Sequence, residues 1–364
     1  MKKTRYVMLG GFLGAGKTSA LIALGTHLRK RGLRAGLITN DQSSGLVDTA
    51  RVRAADLPVR EVVGGCFCCR FDSLIDAARK FECAGTIDVL VAEPVGSCTD
   101  IRATVSHPLR DLFGDDYEVA PLSVLVDPLR CAGIFGMIPA PSGFSEKVAY
   151  IYRKQLEESD VIVINKIDLL ESGFRNDLRD RLRREYPAAA IREVSCLTGE
   201  GIEPWFDFLL MAFPSRRPAM EIDYDLYAEG EALLGWLNAR VSLSGKETFD
   251  GNRYLAAFAG RLQRSLSGRG MEIAHLKLGL EATDLSDFGS LSLTGMEREP
   301  QVTASLSRDL SAGELTINLR AEADPDLLRN EVMLALFNQG APHAELREIA
   351  AFRPGRPEPV HRLD

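Results

Sequence analysis

The amino-acid sequence predicts an α/β fold with a doubly wound, mostly parallel sheet, followed by a smaller α+β domain. Two observations lead to this fold class. Within residues 1–213, short apolar runs rich in β-branched side chains alternate with segments of helical period, which is typical of strands joined by crossover helices. After a segment with two prolines at 214–220, the pattern changes to closely spaced strands with two helices among them.

The predicted strands of the first domain are apolar throughout instead of alternating, which indicates a sheet covered on both faces. They lie at residues 5–11, 34–40, 58–64, 87–94, 121–128, 161–168 and 190–196. Segments of helical period separate most of them, for example residues 19–32 and 71–81. Strands joined in this way run parallel, with right-handed crossovers.

Residues 214–220 are predicted to be a linker, and residues 221–352 a small α+β domain with two helices on an antiparallel sheet. The predicted strands of this domain lie at 234–243, 271–282, 290–295, 300–310 and 313–322, and its predicted helices at 249–266 and 325–340. The tail, residues 353–364, is rich in Pro and Arg and is predicted to be frayed.

Charge and composition limit the classes of partner. The formal net charge of -7 argues against a nucleic-acid partner, because phosphate binding requires a basic face. No run of eighteen apolar residues occurs, so no membrane partner is predicted. The first apolar run leads into a glycine-rich loop and lacks the features of a signal peptide. The seven cysteines, an odd number, fit a reducing compartment, and we expect a cytoplasmic monomer or homodimer.

Residues 11–18, GFLGAGKT, match the phosphate-binding pattern G-x-x-x-x-G-K-[ST] between a predicted strand and a predicted helix. Backbone N–H groups of such a loop form an anion site, to which the helix adds the positive end of its dipole. Lys17 is predicted to contact the β- and γ-phosphates, and Thr18 to bind Mg²⁺. The other predicted nucleotide-binding residues of the loop are Gly11, Gly14, Ala15, Gly16 and Ser19. The alternative is a strand–turn–helix whose glycines serve only packing.

The tetrapeptide NKID at 165–168 matches the guanine-reading pattern N-K-x-D at the end of a predicted strand. The Asp168 carboxylate is predicted to accept hydrogen bonds from guanine N1–H and N2–H, a pair that adenine does not offer. Asn165 is predicted to fix the loop, and the stem of Lys166 to pack on the base. The alternative for this tetrapeptide is a solvated strand end.

A second loop also indicates recognition of a guanine nucleotide. The segment SCLTGEG at 195–201 follows the next predicted strand and is similar to the final loop of GTPases, S-A-x-T-G-x-G. Ser195 and Cys196 are predicted to bring a backbone N–H to guanine O6. The order of the three motifs favours GTP over ATP.

Residues 66–69 hold three thiols in the pattern C-x-C-C, from Cys66, Cys68 and Cys69. Thiolates are soft ligands of Zn²⁺, usually in four-coordinate sites, while Co²⁺ and Ni²⁺ stay open because ligand softness and geometry overlap. Three thiolates leave a fourth position for water, Asp41, another residue or a ligand from a client protein, which suits a site that releases its metal. A structural metal, or thiols that are buried or redox-active, are the alternatives.

The remaining cysteines are assigned mostly to packing. Cys98, in GSCTD, is closer in sequence to the C-x-C-C motif and is a lesser candidate for touching metal or nucleotide. The side chains of Cys83, Cys131 and Cys196 are predicted to act as small apolar residues.

The order of these motifs resembles that of the CobW-like metallochaperone GTPases, a branch of the P-loop GTPases that serve metal centres. GGFLGAGKTS is similar to the T-G-F-L-G-A-G-K-T-T of that family, GGCFCCR to its N-G-C-I-C-C, and AEPVG, which begins with Ala92 and Glu93, to its E-x-x-G element. The resemblance covers about residues 1–213. It implies a P-loop NTPase fold, GTP hydrolysis, and delivery of a metal ion or metal-containing cofactor to a client protein.

The sequence departs from the family pattern in two places. Where the family carries E-N-E-F-G-E, this chain has TNDQSSG at 39–45, in which Asp41 keeps one carboxylate and Thr39 and Ser44 replace the others. The His-rich tract of the family is missing, since the five histidines are scattered. Both departures leave the identity of the metal open.

Lys17, Asp41 and Glu93 are the predicted catalytic residues, because both carboxylates end predicted strands, from which they can orient water or reach Mg²⁺ through water. Gln42 is a further candidate, and without an identifiable arginine finger we expect slow turnover. Loss of the γ-phosphate is expected to shift the loop at 40–48 together with the cysteine turn. The alternatives to a metallochaperone are a GTP-dependent activator of a corrinoid or other metallocofactor enzyme and, less favoured, a translation or signalling GTPase.

Overall fold

The structure is a computed structural model. It describes residues 3–42, 47–83, 85, 87–139, 143–215, 217–284, 287–296, 298–337 and 342–364. Residues 43–46 of the predicted switch loop therefore lie outside the described residues, and they include Ser44, which replaces a family carboxylate.

The first layer is a parallel sheet in the order β3-β2-β4-β1-β6-β7-β8, in which β5 also pairs with β1. Its strands are β1 (Thr4–Gly11), β2 (Ala35–Asp41), β3 (Val59–Val63), β4 (Val89–Glu93), β5 (Tyr117–Val119), β6 (Ser123–Val126), β7 (Val161–Ile164) and β8 (Ala190–Glu193). The central strands β1, β4, β6 and β7 are buried along their whole length, as continuous apolar runs require. The order reverses beside β1, which places the loops after β1, β2 and β4 at one crevice.

Helices cover both faces of this sheet. They are α1 (Lys17–Lys30), α2 (Val47–Ala54), α3 (Phe71–Cys83), α4 (His107–Leu112), α5 (Pro128–Ile134), α6 (Glu146–Glu158), α7 (Ser172–Glu185) and α8 (Ile202–Met211). A π-helical turn, Arg102–Ser106, leads into α4, and a 3₁₀ turn, Ile167–Leu169, follows β7.

Helix α9 (Tyr224–Leu233) comes after the segment 214–220 but packs against α6 of the first layer. Gly230 permits the close approach, because a Cβ there would lie 2.5 Å from the Lys147 carbonyl oxygen. Tyr227 belongs to the same hydrophobic core as the strands of the first sheet. Helix α9 therefore belongs to the core of the first domain, although it follows the predicted linker in sequence.

The second sheet is antiparallel, in the order β12-β11-β10-β13-β9-β14. Its strands are β9 (Leu234–Phe249), β10 (Ile273–Ala282), β11 (Phe288–Leu293), β12 (Gln301–Ala304), β13 (Leu310–Glu322) and β14 (His343–Phe352), and its helices are α10 (Gly251–Ser267) and α11 (Pro325–Phe337). Alternate residues of β10 and β13, such as Leu276 and Ile317, face these helices in a second core. The other face, with Lys277 and Arg320, contacts the first domain.

The predicted fold class is confirmed, a parallel sheet covered by helices plus an antiparallel domain. The predictions omitted β5, α9 and β14, and the strand predicted at 300–310 is β12 followed by the start of β13. The tail was predicted to be frayed, and this is wrong: Val360 and Leu363 donate backbone hydrogen bonds to the carbonyl groups of Cys68 and Ala103. Among the described residues, no helix has both the length and the apolar composition needed to cross a membrane.

Candidate functional site

The loop after β1 has the backbone geometry of a phosphate cradle. Gly11, Gly14 and Gly16 all have positive φ, at 130°, 80° and 96°. A Cβ at Gly16 would lie 2.3 Å from Asn165 Nδ2, and one at Gly11 would lie 2.3 Å from the Leu125 carbonyl oxygen. Only glycine satisfies both the conformation and the close approach, and the loop then opens directly into the N-terminus of α1.

Five polar side chains converge where α1 begins. The Thr18 hydroxyl donates to Asp48 Oδ1, at 2.7 Å, or to Glu93 Oε1, at 3.0 Å. Lys277 of the second domain contacts Asp48 Oδ2 at 2.6 Å. The ammonium of Lys17 is buried beside this group. Two acids, a hydroxyl and two lysines thus share a site with almost no exposure to solvent.

Burial and charge shift the pKa values of these groups in different directions. Burial raises the pKa of Glu93, and the charge of Asp48 raises it further. Burial also acts to raise the pKa of Asp48, but Lys277, Arg51 and the hydrogen bond from Thr18 together outweigh it, and the net shift is downward. Burial lowers the pKa of Lys17, against the attraction of Glu93. Glu93 Oε2 is buried without a hydrogen-bond partner among the described residues, so the cluster still has a position for a cation.

The predicted base-reading residues come together at the ends of β7 and β8. Asn165 Nδ2 donates to the Ala15 carbonyl at 2.9 Å, and its Oδ1 accepts from the backbone N–H of Cys196 at 3.1 Å. Lys166 donates to the Gly14 carbonyl at 3.0 Å. The Ser195 hydroxyl donates to Asp168 Oδ1 at 2.5 Å. These bonds tie the base loops to the phosphate loop, so both parts of a nucleotide would meet one rigid frame.

A cleft of about 950 Å³ lies beside these residues, large enough for a nucleotide. Residues along the length of α1, the NKID loop and the loop at 196–201 form most of its wall. Gln301, Val302 and Thr303 of β12 line it from the second domain. The second sheet therefore forms part of the wall of the cleft.

The three thiols of the C-x-C-C motif form a compact cluster between β3 and α3. The Sγ atoms of Cys66 and Cys68 are 2.7 Å apart, those of Cys66 and Cys69 are 3.2 Å apart, and those of Cys68 and Cys69 are 3.7 Å apart. Among the described residues, they are the one group of three or more His, Cys, Asp or Glu side chains whose potential metal-binding atoms all lie within 4.8 Å of one another. Cys66 and Cys68 are buried, and Cys69 is half-buried. All seven cysteines are free thiols.

The pKa values of the three thiols shift in different directions. Hydrogen bonds from Cys68 and Cys69, and a further one from Cys98, hold the pKa of the Cys66 thiol well below its usual value. The bond to Cys66 raises the pKa of Cys68 well above the usual value and that of Cys69 to about 11. Cys66 is therefore the first of the three to become a thiolate, the form that binds metals.

Comparison with known proteins gives the family. The family model described as "CobW/HypB/UreG, nucleotide-binding domain" matches residues 5–192, which is more than half of the chain. The chain belongs to this CobW/HypB/UreG family. The resemblance stated from the motifs is thereby confirmed.

Three solved structures illustrate the likeness, and each is too distant to transfer the role of any residue. The hydrogenase maturation factor HypB from Archaeoglobus fulgidus is 21% identical, with 57% of this chain and 88% of that chain covered and a TM-score of 0.41. HypB from Helicobacter pylori, in complex with nickel, is 16% identical, with 57% and 86% covered and a TM-score of 0.43. The Zn(II)-bound YjiA GTPase from E. coli is 16% identical, with 92% and 99% covered and a TM-score of 0.40.

In this member of the CobW/HypB/UreG family, the two predicted catalytic carboxylates have different surroundings. Glu93 accepts from Thr18, as described above. Asp41 forms an ion pair with the buried guanidinium of Arg320, with an N–O distance of 3.1 Å. Its catalytic role stays a prediction, and the second acid beside Thr18 is Asp48.

Several residues of this site were missed by the sequence analysis. Asp48 is in the first turn of α2, where an acidic residue is also a common helix-starting choice, so its position gave no specific signal. Lys277 is separated from Asp48 by 229 residues in the chain. Asn40 was passed over between two more conspicuous residues, although its side chain donates to the Gly65 carbonyl at 2.8 Å and accepts from the Phe67 N–H at 3.0 Å.

Proposed function

We propose that the protein is a GTP-hydrolysing metallochaperone, which takes up Zn²⁺ at Cys66, Cys68 and Cys69 and passes it to a client metalloprotein. The observation that carries the proposal is the thiol cluster itself, three sulfur atoms held within 4.8 Å on the loop after β3. Zn²⁺ is the first choice because thiolate sites with tetrahedral geometry suit it, and the ion is cargo here.

The phosphate loop and Lys17 would hold the triphosphate, through backbone N–H groups and one buried ammonium charge. The hydroxyl of Thr18 and the carboxylates of Asp48 and Glu93 fit Mg²⁺, which prefers oxygen ligands, and Glu93 Oε2 has no partner to give up. When bound, Mg²⁺ supplies positive charge to the phosphates. Glu93, whose pKa is raised by burial, is the group best placed to hold or orient a water proton.

Guanine selectivity would come from Asp168. The Ser195 hydroxyl fixes one oxygen of this carboxylate. Asp168 itself lines the cleft, together with other residues of the NKID loop. An oriented carboxylate accepts from the N1–H and N2–H pair of guanine and repels the lone pair of adenine N1. This supports GTP as the substrate.

Two chain segments connect the nucleotide site with the thiols. Asn40 lies near the end of β2, where the predicted switch loop begins, and its side chain binds the backbone at Gly65 and Phe67, directly before and within the cysteine motif. Glu93 ends β4, and the chain reaches Cys98 five residues later. Because the predicted switch loop begins at Asn40, and Glu93 of the nucleotide site is on the strand that leads to Cys98, a change at the γ-phosphate would alter how the thiols hold an ion.

The nucleotide assignment is tested by Lys17→Ala in a GTP hydrolysis assay. We expect loss of hydrolysis, because the buried ammonium charge opposite the phosphates is removed. Lys80→Ala is the matched control, since Lys80 is an exposed lysine near the end of α3 and does not line the cleft. Unchanged hydrolysis in Lys17→Ala would rule out the nucleotide site.

The metal assignment is tested by Zn²⁺ titration of the variant Cys66→Ala/Cys68→Ala/Cys69→Ala. We expect loss of tight binding, whereas Cys83→Ala, an exposed cysteine at the end of α3, should bind like the wild type. Wild-type affinity in the triple variant removes the metal role. Transfer of a metal-containing cofactor with no transfer of free Zn²⁺ to a client would replace this proposal with the activator of a corrinoid or other metallocofactor enzyme.

A further inference from the structure

We propose that the tail, residues 353–364, is a cover over the three thiols of the C-x-C-C motif, and that it must lift before an ion enters or leaves. This inference rests on the proposed function, because it concerns the regulation of the same site. Two hydrogen bonds place the tail there. The backbone N–H of Glu358 donates to Cys69 Sγ at 3.2 Å, and that of Val360 donates to the Cys68 carbonyl at 2.9 Å.

Cys69 is the member of the cluster that is nearest to solvent. Cys66 and Cys68 are buried, whereas Cys69 is half-buried, so an ion would reach the three sulfur atoms from the side of Cys69. Glu358 lies on this side, because its N–H contacts the sulfur atom itself. The tail therefore lies across the path between solvent and the thiols.

The sequence of the tail suits this position. Pro357 and Pro359 have no N–H, so both backbone donors of residues 357–360 are used on the cysteine loop. Each proline also fixes its own φ and restricts the residue before it to extended conformations, which reduces the entropy that this stretch loses when it binds. The side chains of Glu358 and Val360 are exposed, so the contact with the cysteine loop is made by the backbone.

The side chain of Arg362 holds the cover down, two residues beyond the contacts with the cysteine loop. Its Nε donates to Asp100 Oδ2 at 2.8 Å, and its Nη2 donates to the Met220 carbonyl at 2.8 Å. The side chain of Asp100 is 1% exposed. A charge-assisted hydrogen bond to a buried carboxylate is stronger than one at the surface, so Arg362 is the main attachment of the tail.

Two further contacts attach the tail. The backbone N–H of Leu363 donates to the Ala103 carbonyl at 2.9 Å, and the carbonyl of Leu363 accepts from His107 Nδ1 at 3.0 Å. The ring of His361 meets that of Phe71 edge-on, with centroids 5.0 Å apart. Phe71 begins α3, directly after the cysteine loop, so this contact lies at the edge of the thiol site.

The tail is attached in a way that permits it to lift. Its aliphatic side chains, Val360 and Leu363, belong to none of the hydrophobic cores in the described part of the chain. The attachments are hydrogen bonds and one ring contact, each of which contributes little net stability by itself. Such a segment can open locally while the domain beneath it stays folded.

Hydrogen exchange on the metal-free wild type tests the cover without any substitution. We expect the backbone amides of Glu358, Val360 and Leu363 to exchange more slowly than they would in an unfolded chain, because each donates a hydrogen bond to the protein beneath it. Exchange of all three amides at the rates of an unfolded chain would overturn the cover.

Alkylation of the metal-free full chain measures how often the cover lifts. In Arg362→Gln and in Val360→Pro, we expect iodoacetamide to modify the C-x-C-C thiols roughly tenfold faster than in the wild type, the size of effect that loss of one hydrogen bond gives. Trypsin releases all three thiols in one peptide, residues 61–70, so mass spectrometry separates them from Cys83. The exposed thiol of Cys83 is the internal reference and should react equally fast in every variant.

Release of Zn²⁺ measures whether the cover controls the ion. From Arg362→Gln and from Val360→Pro, we expect Zn²⁺ to pass to a chromogenic chelator roughly tenfold faster than from the wild type. Arg347→Gln is the matched control in both assays, because Arg347 is an exposed arginine on β14 whose ion pair with Glu345 does not involve the tail. This control should behave like the wild type.

Unchanged alkylation of the thiols in both tail variants, or equal acceleration in Arg347→Gln, would overturn the cover, whatever the protein binds. Faster alkylation with unchanged Zn²⁺ release would show that the tail covers the thiols but does not control the ion, which overturns the proposed role. Hydrogen exchange and alkylation need no metal. Failure of the metallochaperone proposal would therefore be recognised separately, as a wild type that binds no Zn²⁺ at these thiols while the tail still protects them.

Discussion

At the scale of single residues, Asp48 contacts both domains, and no sequence motif predicted this role. One of its oxygens accepts from Thr18, and the other pairs with Lys277 of the second domain. Although burial opposes its charge, Lys277 keeps the pKa of Asp48 below its usual value. Asp48 is therefore ionised at neutral pH and available to a hydrated Mg²⁺ ion beside the phosphates.

Replacing Asp48 by Asn should weaken the binding of this ion. The isosteric amide keeps the volume and one acceptor but removes the charge, so the Mg²⁺ concentration for half-maximal GTP hydrolysis should rise roughly tenfold. Steady-state assays over a Mg²⁺ series measure this. Asp56→Asn is the control, since that exposed acid lies just beyond the same helix. An unchanged Mg²⁺ requirement would place the metal on other oxygens.

The thiols give a pH prediction of definite sign. Because the pKa of Cys69 is raised to about 11 by its bond to Cys66, this thiol is protonated at neutral pH and must lose a proton when it binds an ion. Zn²⁺ affinity should therefore increase steadily from pH 6 to about pH 9, with at least about one proton released per ion. Calorimetry in buffers of different ionisation enthalpy counts the protons. Binding that is independent of pH would show that Cys69 is not a ligand.

At the scale of elements, the carboxyl end of β2 is the connection that we propose between the nucleotide site and the thiol cluster. Asn40 binds the backbone of the cysteine loop, and its neighbour Asp41 binds Arg320. The chain then enters the region before α2, where the Val47 N–H donates to Asn318 of the second domain. A strand end with three such attachments moves only if all of them change together.

Asn40→Ala should uncouple the thiols from the nucleotide. It leaves the Gly65 carbonyl and the Phe67 N–H without their partner, at a cost of about 1–3 kcal/mol for each unsatisfied group. We expect Zn²⁺ affinity to fall roughly tenfold and to become equal in the GDP and GTP-analogue states. Asn252→Ala is the matched control, because Asn252 clamps the backbone of Leu306 in the same way in the second domain. A Zn²⁺ affinity that still depends on the nucleotide would contradict this coupling.

The sequence predicted what short segments determine and missed what distant segments bring together. The buried runs of β1 and β7, and the loops that follow them, could be recognised because a few adjacent residues fix both conformation and chemistry. Cys98 was only a lesser candidate, and Glu231 was not predicted at all, since only the packing of α9 on α6 brings Glu231 near the thiols. The prediction for the tail was wrong for the same reason. Its composition indicates fraying, but its hydrogen bonds reach residues more than 250 positions away, as from Glu358 to Cys69.

At the scale of the whole molecule, the second domain is attached mainly at the nucleotide crevice. Three cationic side chains of the second domain pair with acids that end strands or begin helices of the first domain. The pairs are Lys277 with Asp48, Arg298 with Asp127, and Arg320 with Asp41. Asp127 also pairs with Lys166 of the base loop, so the phosphate, base and switch segments each have a contact to the second domain. A nucleotide that enters this crevice brings negative charge to the positions where the two domains are joined.

Lys277 is the contact whose removal tests this arrangement. It lies near enough to Lys17, Asp48 and Glu93 to influence the charge of each, so it can supply positive charge as the γ-phosphate is transferred to water. We expect Lys277→Met to lower the single-turnover rate of GTP hydrolysis on the order of a hundredfold, and Lys277→Arg to restore part of it, because a long cation is kept. Lys246→Met is the control, an exposed lysine on β9 of the same sheet. If Lys277→Met hydrolyses GTP at the wild-type rate, the lysine only joins the two domains, and catalysis belongs to the first domain alone.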